Sequence, residues 1–144
     1  MFLDNQEFKH LRNGQGGADT LRLWQEDPRT TVFQPYKEVI ILFVQMSHFM
    51  IDLHIISSKA YRSNVKTAVI QAGRWLMVNS DFIKLVSFIP ETRTSALALA
   101  RNFIGMKYEG LLSKAYRENN GMIDCHIYGM TRREVLHFLE SKGY

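Results

Sequence analysis

The 144 residues contain a single cysteine, Cys125, which excludes an internal disulfide and any zinc-type cysteine spacing. That economy fits a reducing compartment, the interior of a cell. No apolar run exceeds the six residues Val39 to Val44, far short of the roughly 20 that a membrane helix needs. The run has the composition of a buried strand instead. Met1 to Glu7 lacks the basic-then-apolar order of a signal peptide, so no membrane association is expected. Eighteen basic against fourteen acidic side chains leave a net +4, which favours anionic ligands without demanding nucleic acid. Basic and aromatic residues interleave only at Lys114-Ala115-Tyr116-Arg117, too little for a nucleic-acid platform, and Arg132-Arg133 reads as a solvated pair. His10, His48, His54, His126 and His137 lack the spacing that gathers metal ligands, so no metal site is expected.

What is present is 46% hydrophobic composition, enough for one continuous core and one domain over 1–144. Residues 1–30 read as a short helical part, with helices over 4–12 and 20–26 separated by Gly14-Gln15-Gly16-Gly17 and closed by Pro28. Residues 31–144 read as a core of sheet and helices. Pro35 restricts a strand over Thr31 to Tyr36 to an edge or an end. Glu38 to Gln45 and His48 to Ser57, rich in Val, Ile and Phe, form a hairpin of central strands. Val65, Ala68, Val69, Ala72 and Leu76 recur at helical spacing within Lys59 to Asn79, and Gly73 lets that helix lie close to the sheet. Lys84 to Ile89 is a strand, and Thr92 to Phe103 a helix ended by a left-handed Gly105. Tyr108 to Tyr116 and Met122 to Met130 are strands joined by Glu118-Asn119-Asn120-Gly121, with Asn-Gly as the turn signal. Thr131 and Glu134 form a capping box that opens the last helix. The order predicts an α/β fold with a mixed central sheet flanked by helices on both faces.

Pro90-Glu91-Thr92, Ser95, Ile104-Gly105-Met106, Glu109-Gly110, Asn120-Gly121 and Asp124 follow one another at a spacing that resembles the GCN5-related N-acetyltransferase (GNAT) family. Upstream, Asp52-Leu53-His54-Ile55-Ile56 and Ala60-Tyr61-Arg62 look like that family's splayed fourth strand and the start of its cofactor loop. The similarity spans roughly 38 to 131. It implies acetyl-CoA as cofactor, with Arg62, Ser63, Asn64 and Lys66 at the phosphates. It also implies the backbone of Ile55, Ile56 and Ser57 along the pantetheine arm, with Thr92 and Ser95 beside it. The chain departs from the pattern in two places. Its loop, Tyr61 to Ala68, holds no glycine, and Thr92 stands where relatives carry Asn. With a short start before the hairpin, these departures look like the degenerate members encoded by tailed phages, some of them virion-associated.

Acetyl transfer to an amine needs a base, a donor for the oxyanion and an acid for the departing thiolate. Asp52 and His54 share one strand face by the two-residue period and form a candidate base pair, against the alternative of a structural histidine satisfied by Asp52. The helix after Ser95 carries no tyrosine to serve as acid, and Tyr108 and Tyr116 read as packing on the sheet. Cys125 and His126 face opposite sides of a strand, so Cys125 reads as a buried structural thiol. Two functions follow. The first is an acetyl-CoA-dependent N-acetyltransferase acting on an amine or protein acceptor in the cytoplasm of the host cell. The second is an inactive protein of the same fold serving as an interaction or virion subunit with protein partners. An enzyme should hold the fourth and fifth strands of the family pattern apart around an open cleft. A structural protein should fill that cleft and bury Phe43, Phe49 or Trp24 in an interface.

Overall fold

The computed structural model of the protein describes residues 26–57 and 63–144. The helix expected over 4–12, all but the last residue of that over 20–26, Trp24 and Arg62 lie outside them. The elements are strands β1 (Thr30–Tyr36), β2 (Val39–Gln45) and β3 (Met50–Ser57), helix α1 (Val65–Asn79) and strand β4 (Lys84–Pro90). Helix α2 (Thr94–Ala98) then runs into a π-helical turn (Leu99–Ile104). Strands β5 (Lys107–Glu118) and β6 (Gly121–Thr131) and helix α3 (Arg132–Ser141) complete the chain. The strands make one six-stranded sheet in the order β1-β2-β3-β4-β6-β5, antiparallel except where β3 and β4 run parallel. It is the expected α/β fold with a mixed sheet.

Alternation decides which residues meet. Ile41, Phe43, Ile51, Leu53, Leu85, Ile89, Tyr128 and Met130 face α1 and α3 and bury Val65, Ala68, Val69, Ala72, Leu76, Val135 and Leu139 against them. Ile40, Leu42 and Val86, on the opposite face, are also buried. Phe43 belongs to this core, stacked on Trp75 with ring centroids 6.0 Å apart, and is no interface residue.

Local chemistry corrects several expectations. A Cβ on Gly73 would sit 3.0 Å from Leu139 Cδ2, so this glycine lets α1 approach α3 rather than the sheet. Glu118 pairs with Gly121, so the hairpin turns on Asn119-Asn120, with Asn119 in the left-handed region at φ 51 and Gly121 already in β6. Helix α2 starts at Thr94, not Thr92, and its last turn widens. Gly105, at φ 79, donates its N–H to the Ala100 carbonyl. Arg132 is not solvated. Its guanidinium lies over the Phe82 ring and donates to the carbonyls of Met77, Ser80 and Phe82 at 2.8, 2.6 and 3.2 Å, satisfying the exit from α1. The capping box forms as expected: Glu134 N–H donates to Thr131 Oγ1 at 3.2 Å, and Thr131 N–H donates to Glu134 Oε1 at 3.0 Å.

Candidate active site

Strands β3 and β4 are paired only over Met50–Asp52 and Lys84–Val86, then diverge. At the point of divergence Ser87, itself buried, donates its hydroxyl to the Leu53 carbonyl at 2.9 Å. Beyond it opens a cleft of about 820 Å³. One wall is the β3 edge from Leu53 to Ser57, the other the end of β4 and helix α2, and Leu112, Tyr116 and Cys125 close the far side. Parallel strands of this length would ordinarily complete their ladder; here Ile55 to Ser57 pair with β2 alone and turn the other edge of their backbone toward the cleft.

His54 lines the cleft and Asp52 stands behind it, with Asp52 Oδ2 2.8 Å from His54 Nε2. The His54 side chain is 30% exposed and that of Asp52 14%. The Asp52 Oδ1 atom is buried and has no hydrogen-bond partner among the described residues. A neutral imidazole that donates Nε2–H to Asp52 has Nδ1 as its basic nitrogen. Cys125 is buried on the same sheet face, and burial, followed by the Asp52 charge, pushes its thiol pKa up. His126 packs on Tyr108 at 5.7 Å on the other face and does not serve Cys125.

Tyr108 packs on the sheet as expected, edge to face with Tyr128 at 5.4 Å. Tyr116 instead lines the cleft. The cause lies at Gly110: from the pair Tyr108–Tyr128 to Gly110–Ile127 β5 takes two residues against one of β6, which moves Leu112 and Tyr116 to the Cys125 face. A wider bulge at Lys114, at φ 50 with its N–H donating to Asp124 Oδ1 at 2.9 Å, keeps Tyr116 on that face. Burial raises the Tyr116 pKa, and the hydrogen-bonded Arg93 guanidinium partly offsets that rise. The bulge at Gly110 also sends Glu109 across Gly129 to pair with Lys84. Asp124 also binds the start of the α2 turn, its carbonyl accepting from Glu91 N–H at 3.0 Å.

Of the residues assigned to the cofactor, Ile55, Ile56, Ser57, Lys66, Thr92 and Ser95 line the cleft. Ser63 and Asn64 form the turn into α1 and do not line it. Asn64 makes no side-chain cap. The Thr92 hydroxyl donates to Glu118 Oε2 at 2.7 Å, which engages it away from a bound arm. A long thioester arm suits the open β3 edge, and Lys66 supplies a cation at the mouth, so the residues present fit acetyl-CoA. Arg93, not singled out in the sequence, and Tyr116, read there as packing on the sheet, join them in the lining.

No family profile and no curated protein matches the sequence. Solved structures do match its fold. A probable acetyltransferase of the GNAT family from Chromobacterium violaceum superposes with a TM-score of 0.74 at 20% identity, over 91% of this chain and 77% of its own. A spermidine N-acetyltransferase from Vibrio cholerae gives 0.69 at 13%, over 82% and 73%. A Streptococcus mutans protein gives 0.64 at 16%, over 80% and 78%. The splayed sheet and its cleft define the fold of the GCN5-related N-acetyltransferases.

Proposed function

We propose that the protein is an N-acetyltransferase that moves an acetyl group from acetyl-CoA to an amine. The observation that carries this reading is the open cleft between β3 and β4, with His54 in its wall and Asp52 behind it. A structural protein would be expected to fill this cleft with side chains or a partner, whereas an enzyme needs it open to its ligands. Bound acetyl-CoA would supply an activated acyl carbon and a thiolate leaving group. His54 takes the proton from the incoming ammonium, and Asp52 orients the ring and stabilises the imidazolium that results. The edge of β3 that faces β4 beyond their last pair would hold the extended arm in strand fashion, with its backbone donors toward developing negative charge.

Calorimetric titration with acetyl-CoA tests the reading, followed by thiol release with a panel of amines that begins with spermidine, the acceptor named for the Vibrio protein. Micromolar, saturable binding with amine-dependent thiol release is expected. Absence of binding at millimolar acetyl-CoA would leave the inactive, protein-binding role as the function.

A further inference from the structure

Two ammonium groups converge on one ring at the outer end of the cleft. Lys66 Nζ lies 5.1 Å from the Phe103 centroid. Lys142 Nζ lies 4.7 Å from the same centroid and 5.8 Å from that of Phe138, which meets Phe103 edge to face at 5.7 Å. The two charges are therefore within about 10 Å of each other, one Debye length at 0.1 M salt, and repel. Among the described residues neither lysine has a carboxylate in ion-pair contact, whereas Lys84 pairs with Glu109 and Lys107 with Glu134. Lys66 lines the main cleft, and Phe103 and Lys142 line a separate hollow of about 750 Å³ that also holds Arg133, His137, Glu134 and Glu140. The Phe103 ring thus joins the cleft to a surface hollow through two uncompensated cations.

Such an arrangement suits a ligand that carries phosphate on both sides of an apolar contact. We propose that Lys66, Phe103 and Lys142 form the seat for the phosphorylated nucleotide end of CoA, with Lys66 on the pyrophosphate and Lys142 on the 3′-phosphate; this rests on the acetyl-CoA reading above. The 3′-phosphate carries about −1.5 to −2 charges at pH 7, enough to neutralise a lysine whose neighbour is another lysine. Phe103 holds both lysine stems in place by cation–π contact, so the cations are positioned before the ligand arrives. Side-chain charge thereby does the work that backbone N–H groups of a glycine-rich turn would do, in a chain whose loop has no glycine.

The experiment compares CoA with dephospho-CoA, which lacks only the 3′-phosphate, by calorimetry on the full-length protein and on Lys142→Gln, Lys142→Arg and Lys66→Gln. The wild type should bind CoA at least tenfold more tightly than dephospho-CoA. Lys142→Gln should bind both alike, at the dephospho-CoA level, and Lys142→Arg should recover the preference. Lys66→Gln should weaken both ligands by a similar factor and keep the preference. Equal wild-type affinity for the two ligands, or a preference that survives in Lys142→Gln, would overturn the assignment. Failure of the wild type to bind CoA at all would instead overturn the functional reading beneath it.

Discussion

The Ser87 hydroxyl donates to the Leu53 carbonyl at 2.9 Å, one residue beyond the last paired residues of β3 and β4. It satisfies a buried acceptor where the ladder has ended. Ser87→Ala should therefore lower stability by roughly 1–3 kcal/mol, the cost of leaving a buried carbonyl unsatisfied. Urea unfolding reads this, and a midpoint unchanged from the wild type would show that water replaces the hydroxyl.

His54→Gln should lower turnover by about 10²- to 10⁴-fold, the usual worth of a positioned general base, while the calorimetric affinity for acetyl-CoA stays within about twofold. Asp52→Asn should fall between this variant and the wild type, because the imidazole remains but loses the carboxylate behind it. Equal activity of all three proteins would assign His54 to structure.

Cys125 gives a pH-dependent readout of the cleft floor. Burial and the Asp52 charge both disfavour the thiolate, so its pKa is raised. Alkylation at pH 8 should be slower than that of a free cysteine, and should keep accelerating above the pH at which an ordinary thiol is fully ionised. Because Cys125 lines the cleft, saturating acetyl-CoA should slow it further. Mass-resolved iodoacetamide kinetics measure both effects.

Glu134 should make α3 acid-sensitive. The Thr131 backbone N–H, followed by Lys107, holds its carboxyl below the usual carboxylate pKa. A depressed folded pKa adds stability that is present above the unfolded value, near 4.3, and is lost as pH falls through the lower folded value. The thermal midpoint of the wild type should thus drop more steeply below pH 4.3 than that of Glu134→Gln. Parallel curves would show that the capping carboxylate is not coupled to folding.

Much of this fold is legible in the chain because its signals are short in range. The run Val39 to Val44 became β2, Thr131 and Glu134 closed their capping box, and Gly105 took the left-handed conformation that ends the helix before it. His54 and Asp52 were paired correctly because an uninterrupted strand preserves parity. Tyr116 was read as sheet packing like Tyr108, because the one-residue bulge at Gly110 lies between the two and exchanges the faces of everything beyond it. Arg132 was misread for a different reason. Its partners, the carbonyls of Met77, Ser80 and Phe82, lie some fifty residues earlier, and charge adjacent to Arg133 looks solvated until the fold brings that helix end alongside. Lys142 escaped notice likewise: nothing in Glu140-Ser141-Lys142 announces the ring of Phe103.

The two bulges of β5 also govern how the molecule meets copies of itself. This strand forms the outer edge of the sheet over twelve residues, with Leu111 and Leu112 exposed along it. A straight edge of that length and character would template further strands, the route by which sheets grow from one molecule to the next. The kinks at Gly110 and Lys114 divide it into pieces too short and too twisted for another strand to zip along. The distortion that turns Tyr116 inward therefore also protects the protein against edge-to-edge aggregation.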